Sequence, residues 1–212
     1  SFTPPYSLFD GKDYSKINDP AQRHKLIEYH KWKFQSKMFF PLTPLPQNNG
    51  PKRTPVLMSR VEYGFLGYYN KHKVSPFDAF QMGGDGMSGY TNYGYPTELI
   101  ALRGYENNSI AGNNTVPYGY AYTRLSMELR YPLILEPSST IYALAFVEGG
   151  NAWGSVRDFN PFDLKRSAGV GARIFLPMIG MIGIDWAYGF DRPFGTTRRG
   201  GSQIHFYLGQ EF

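Results

Sequence analysis

The sequence predicts an all-β fold: an antiparallel transmembrane β-barrel wall, of which about seven strands are present. Three observations carry this reading. Long runs keep a two-residue alternation, one parity apolar and the other charged. Several of these runs reach ten residues or more, beyond the five or six of a usual soluble strand and long enough to cross a bilayer. Aromatic residues make up 17% of the 212 residues, with 17 Tyr and 16 Phe, and many fall near strand ends. A soluble β-sandwich or a lipocalin-like barrel would share the alternation and is the alternative.

Composition removes other classes. With 24 Gly and 16 Pro, long helices are not expected, and with no Cys neither a disulfide frame nor a thiolate metal site can form. No apolar run of about 18 residues marks a transmembrane helix. The formal charge is +5, but Lys and Arg are spread along the chain rather than gathered into a nucleic-acid patch. No basic-then-apolar leader opens the chain. Its start, Ser1-Phe2-Thr3-Pro4-Pro5, reads as the continuation of something longer.

Residues 1–24 are turn-rich and predict an exposed loop. Residues 25–69 hold two strands. In the first, over 26–40, Trp32, Phe34, Ser36, Met38 and Phe40 share one parity, and Lys31, Lys33, Gln35 and Lys37 the other. A barrel would turn that lysine face to its lumen, which argues against nucleic acid. A turn cluster over 41–50 follows. In the second strand, over 55–69, Leu57, Val61, Tyr63 and Phe65 oppose Arg60, Glu62 and Gly64.

Residues 70–119 have little periodicity, with only 79–83 strand-like. A segment this long is usually a functional loop or disordered, and its Tyr, Phe and Leu content argues against disorder. Residues 120–212 hold five strands. Over 120–133, Thr123, Leu125, Met127 and Leu129 oppose Tyr122, Arg124, Ser126, Glu128 and Arg130. Ile141, Ala143, Ala145 and Val147 then oppose Tyr142, Leu144, Phe146 and Glu148, with Gly149-Gly150-Asn151 closing that strand and a loop over 152–166. Strands over 167–175 and 181–189 meet at a tight turn, 177–180. After a charged, Gly-rich loop over 191–201, the last strand sets Ile204, Phe206, Leu208 and Phe212 against His205 and Tyr207. Gly209 would let that strand curl or peel. Seven strands cannot close an even-numbered barrel, so the wall is expected to be part of a larger one.

Leu102-Arg103-Gly104-Tyr105 is the candidate site. A loop arginine is ordinarily solvated. Here Glu128 and Glu148 share the charged parity of neighbouring strands, and an inward carboxylate needs hydrogen bonds or a cation. A guanidinium fork can take both, so a loop folded into the lumen would bring Arg103 to Glu128 and Glu148. His24, His30, His72 and His205 lack metal-ligand spacing. Gly83-Gly84-Asp85-Gly86 lacks the Lys-Ser/Thr of a phosphate cradle, and no nucleophile or acid–base pair is ordered by the sequence. No metal, no cofactor and no enzymatic step is expected.

These residues resemble the BamA family of outer-membrane protein assembly factors, whose relatives include TamA and the two-partner secretion transporters. Leu102-Arg103-Gly104-Tyr105 is similar to the family's Val-Arg-Gly-Phe loop motif, and Gly83-Gly84 to the Ala-Gly-Gly before it. Ser126-Met127-Glu128-Leu129 resembles Ser-Leu-Glu-Phe. Glu148-Gly149-Gly150-Asn151-Ala152-Trp153 resembles Asp-x-Gly-x-x-Trp, with Glu for Asp. The closing Leu208-Gly209-Gln210-Glu211-Phe212 resembles the terminal strand. The resemblance runs from about residue 25 and is strongest from 79.

It implies a 16-strand barrel, of which this chain carries strands 10 to 16. Residues 1–22 would be the extracellular loop after strand nine, and the first strands and the periplasmic POTRA domains would lie outside this chain. The motif arginine, Arg103, would enter the lumen and pair with Glu128 and Glu148 on strands 12 and 13. Tyr105 keeps the ring of the family's Phe. The implied function is folding and inserting β-barrel proteins into the outer membrane. Residues 204–212, with Ile204, Phe206, Leu208, Gly209 and Phe212, would form one side of a lateral seam, since an unpaired edge offers hydrogen-bond groups to an incoming strand. Implied partners are unfolded outer-membrane barrels, accessory envelope proteins and outer-membrane lipid. A polypeptide secretion transporter of the same superfamily, a passive porin or receptor barrel, and a soluble lipid-binding barrel are the rival readings.

Overall fold

A computed structural model describes residues 1–43, 53–74, 77–87, 97–110, 118–136, 139–177, 180–193 and 195–209. Seven long strands form one antiparallel sheet: β1 (His30–Pro41), β2 (Val56–Gly67), β5 (Ala121–Glu136), β6 (Ser139–Trp153), β7 (Lys165–Leu176), β8 (Gly180–Gly189) and β9 (Gly201–Gly209). They lie in chain order, each paired with the next, and the sheet stays open with β1 and β9 at its edges. Two three-residue strands, β3 (Phe80–Met82) and β4 (Glu98–Ile100), form a separate parallel pair within the loop between β2 and β5.

The alternation sets the two faces. On one lie Met127, Leu129, Val147, Val170, Ile184, Trp186, Ile204, Phe206 and Leu208, all exposed. On the other lie buried polar groups, Arg124, Ser126 and Glu128 on β5, Glu148 on β6, Arg173 on β7, Asp185 on β8 and His205 on β9. An apolar face turned outward against a polar face turned inward is the inversion expected of a wall standing in lipid. No helix among the described residues is long and apolar enough to cross a membrane.

The largest apolar cluster lies between the long loop and the inner face of the sheet. Phe80, Met82, Ile100, Leu102, Tyr105 and Ile110 of the loop pack on Leu66, Tyr122 and Ala152 of the wall. Gly64 on β2 makes the room, because a side chain there would run into the rings of Tyr122 and Phe80. Backbone bonds seat the loop at its base: Phe80 and Gly119 exchange N–H groups at 2.9 and 2.7 Å, and Leu66 N–H reaches Tyr120 O at 2.7 Å.

Several boundaries differ from the sequence reading. β6 continues through Gly149-Gly150-Asn151 to Trp153. The glycines do not stop it; Gly150 clears space for Leu102 and Met82, to which a Cβ would come within 3.2 Å. β4 was missed, being three residues long. Within residues 1–24 stand two single-turn helices, α1 (Tyr6–Phe9) and α2 (Pro20–Arg23). Most of this segment is exposed, as its turn residues suggest, and a few contacts tie it to the wall. Phe2 bridges to His30, Tyr14 is buried, and the buried pair Lys73–Glu28 stands at 3.4 Å with Lys73 over the Tyr14 ring. The expected turn cluster around residues 44–50, part of the turn at 177–180 and Phe212 lie outside the described residues.

Candidate functional site

The loop turns at Arg103-Gly104, and two local features place it. Gly84 and Leu102 exchange backbone hydrogen bonds at 3.0 and 3.1 Å, tying the glycine pair to the motif. Gly104 has φ +87°, and a Cβ there would come within 2.9 Å of the Gly189 backbone nitrogen and of Ser167. Only glycine combines that left-handed backbone with so close an approach to the wall.

The turn presents Arg103 to the inner face. Its Nη2 lies 2.5 Å from Glu128 Oε1 and 2.7 Å from Glu148 Oε1, and its Nη1 lies 3.0 Å from Asp185 Oδ2. Its backbone N–H donates to Glu148 Oε2 at 3.0 Å. The guanidinium carbon sits 3.5 Å from the centre of the Phe146 ring, so the plane stacks on an aromatic floor. Arg103 is 5% exposed, Glu128 6%, Glu148 4% and Asp185 2%, so water cannot supply these bonds.

Each acid is held by further groups. Arg124 Nη2 and Ser126 Oγ donate to Glu148 at 2.9 and 3.1 Å. Arg130 donates to Glu128 Oε2 through Nε and Nη2, at 3.0 and 2.8 Å. Arg173 takes Asp185 with both terminal nitrogens at 2.6 Å, a fork-on-carboxylate pair. Charges therefore alternate in sign across the cluster, as a buried ionic group requires.

Its neighbours extend the contact. Gly104 N–H donates to His205 Nε2 at 2.9 Å. The Tyr105 hydroxyl donates to Arg166 O at 2.7 Å and accepts from the Asp191 N–H at 3.3 Å. Burial raises that hydroxyl to a pKa of about 12. Gly189 and Gly200 leave room for the Tyr105 ring and the Gly104 carbonyl. This one turn touches β5 through Glu128, β6 through Glu148 and Phe146, β7 through Arg166, β8 through Asp185 and β9 through His205. A second ionic contact holds the far end of the loop: Lys31 on β1 lies 2.9 Å from Asp78 and 2.8 Å from Glu98, and Lys33 also pairs with Glu98.

The structure thus brings together Arg103, Glu128 and Glu148, with Leu102 buried beneath them and Gly104 and Tyr105 against the wall. Sequence reasoning missed Asp185, His205, Phe146, Arg124 and Arg173. All five lie on the inward parity of their strands. That parity was available in the sequence, but not the stagger between strands that sets which inward groups reach one loop residue. Ile204, Phe206 and Leu208 lie apart from this cluster, outward on β9, where Leu208 N–H also lies 3.2 Å from Met87 Sδ. Gly209 pairs with Met181 at the end of β9, and Phe212 lies outside the described residues. No group of three or more metal-ligating side chains occurs among the described residues.

Chemically the arrangement is a fastener, in which guanidinium groups are set against complementary acids. A search among curated proteins returned no match. A family model, the Omp85 superfamily domain, matches residues 21–212, nearly the whole chain. That superfamily is one of outer-membrane β-barrels that act as insertases or transporters, and it includes BamA, TamA and the two-partner secretion transporters. The open all-β wall and the matched domain together place the chain: it belongs to the Omp85 superfamily.

Proposed function

We propose that this chain is part of an outer-membrane insertase that folds and inserts β-barrel proteins, with a lateral seam at β9. The observation that carries the reading is the Arg103 cluster. It fastens a long loop against the inner face of the wall through buried charge, where a passive porin would leave an aqueous passage. A lumen occupied in this way directs traffic to the edge of the wall. There β9 presents backbone hydrogen-bonding groups along its free side and Ile204, Phe206 and Leu208 toward lipid. Leu102, Arg103, Gly104 and Tyr105 act as the loop lock, with Glu128 and Glu148 as partners of the arginine. The seam extends to Gly209 and Phe212.

The partners proposed are unfolded outer-membrane barrels, accessory envelope proteins and the surrounding outer-membrane lipid. Aromatic residues on the lipid face would thin the bilayer locally and lower the barrier to insertion. No covalent step and no cofactor is part of this mechanism.

The test uses the full-length protein in its own outer membrane. Arg103→Ala, Glu128→Gln and Glu148→Gln are compared for heat resistance of the barrel on gels and for the levels of several unrelated barrel proteins. The reading expects a loosened barrel and a joint fall of many barrel proteins. Loss of a single secreted protein would point instead to a polypeptide transporter of the same superfamily. Loss of a single solute's passage would point to a porin or receptor.

A further inference from the structure

We propose that Met87 is a displaceable cap on the outer edge of β9: its thioether sulfur holds the Leu208 N–H until a backbone carbonyl of an added extended strand takes its place. The inference deepens the proposed function and rests on it only for the kind of protein to which that strand belongs.

β9 is paired on one side, by β8. Along a strand, successive residues turn their N–H and C=O groups to opposite edges. The Leu208 N–H donates to Met87 Sδ at 3.2 Å, and Met87 belongs to the loop, not to β8. Leu208 therefore points its N–H away from the ladder, and by alternation so do Phe206 and Ile204. β9 keeps its pairing with β8 throughout; only this outer edge changes partner. The side chains of Ile204, Phe206 and Leu208 are exposed on the lipid face, while His205 and Tyr207 between them line the inner cavity. An extended chain that fits this edge carries apolar residues beside the first three and polar residues beside the other two, the alternation of a membrane barrel strand.

The loop brings Met87 to the edge on a short, built turn. The Met87 N–H donates to Asp85 Oδ1 at 2.8 Å, and the Asp85 N–H to Asn107 Oδ1 at 3.2 Å. Gly86 has φ +74°, and a Cβ there would come within 2.9 Å of Ala101. The turn thus lies close on the residues just before Arg103, to which the Gly84–Leu102 backbone bonds also tie it. Fastening Arg103 sets where Met87 reaches. Its side chain is 44% exposed, unbranched and flexible, so it swings aside without moving the turn. A thioether is a weak acceptor and a backbone carbonyl a strong one. The contact covers a free edge against indiscriminate pairing and yields it to a strand that brings a carbonyl in register.

The experiment uses the full-length protein in lipid bilayers, as wild type, Met87→Ala and Met87→Gln. Glutamine is of similar length and offers a carbonyl oxygen, a stronger acceptor than sulfur. Residue-resolved hydrogen exchange at Leu208, corrected for intrinsic exchange, is expected to be roughly threefold faster in Met87→Ala and roughly threefold slower in Met87→Gln, the scale of one hydrogen bond. The His205 and Tyr207 amides, which face β8, should not respond. Strand addition is read with a photo-crosslinking phenylalanine analogue in place of Phe206 and two probes: a synthetic peptide of alternating Val and Thr, and a purified small outer-membrane barrel protein diluted from urea. Capture of both is expected to rise in Met87→Ala and fall in Met87→Gln. Equal Leu208 exchange in wild type and both variants would overturn the proposal, as would capture of neither probe or capture indifferent to residue 87. Exchange of Ile204 and Phe206 as slow as that of His205 would overturn it too, because a strand of the same barrel would then already sit on that edge. Capture of the peptide but not of the barrel protein, in the expected order, would uphold the cap and sink the insertase reading, so the two ideas fail separately.

Discussion

Glu148 accepts from Arg103 twice, from its backbone N–H at 3.0 Å and from its guanidinium at 2.7 Å. One carboxylate therefore fixes both the path of the loop and the direction of its side chain. Glu128 and Asp185 hold only the side chain.

That difference ranks the acids. Glu148→Ala takes a partner from Arg103, Arg124 and Ser126 and frees the Arg103 backbone N–H, whereas Glu128→Ala takes one from Arg103 and one from Arg130, which is nearer water. Removing one member of a buried pair costs about 3–5 kcal/mol. Glu148→Ala is expected at the upper end and Glu128→Ala below it. The temperature at which the barrel loses its folded mobility on gels checks the order.

Arg103→Lys keeps the charge and loses the fork. One ammonium cannot meet three carboxylates from Nη1 and Nη2 positions while lying flat on Phe146. The variant is expected to behave much closer to Arg103→Ala than to wild type. Protease cleavage of the loop in intact membranes reads this out, with faster cutting in both variants.

Gly104→Ala tests the backbone. The added methyl meets the Gly189 nitrogen, and the left-handed φ adds a penalty of about 1–2 kcal/mol of its own. The loop is expected to leave its seat although every charge remains, and the same protease assay would show it. A normal cleavage pattern would mean that the wall gives way more easily than its packing implies.

Tyr105→Phe removes two hydrogen bonds and keeps the ring, for an expected loss of about 1 kcal/mol. Its pH dependence has a defined sign. The folded pKa, about 12, lies above the usual value near 10, so the folded protein holds the phenol proton more tightly. The stability from this group is complete below about pH 10 and is lost as pH rises toward 12. Thermal shifts across that range should be shallower in Tyr105→Phe than in wild type.

Much of the wall was legible because lipid imposes a strict rule on alternate residues. Met127 and Leu129 could face only one way if Glu128 faced the other, and a two-residue period needs no tertiary information. Arg103 with Glu128 and Glu148 was legible from the same parity and from motif resemblance. Asp185 was not: it is a single acid on its strand, and its reach to Arg103 depends on how far β8 is staggered against β5. His205 was placed on the inward parity of the last strand and found to lack metal spacing, but its bond to Gly104 was not legible, since an imidazole accepting a backbone N–H leaves no sequence pattern. Gly149 and Gly150 misled for a physical reason. Glycine weakens strands in general, but here the missing side chains admit the loop while β5 and β7 keep the backbone paired.

The span of the Arg103 turn across β5 to β9 also bears on the order in which the molecule is made. Asp185 lies 82 residues beyond Arg103, and His205 lies 101 residues beyond Gly104. Contacts across such separations form late, because the chain between them must be laid down and closed first. The loop emerges before its seat exists and must wait for the last strand. Its docking then marks that β5 to β9 have been made and paired, and a chain truncated before residue 205 would lack the contact of Gly104 with β9.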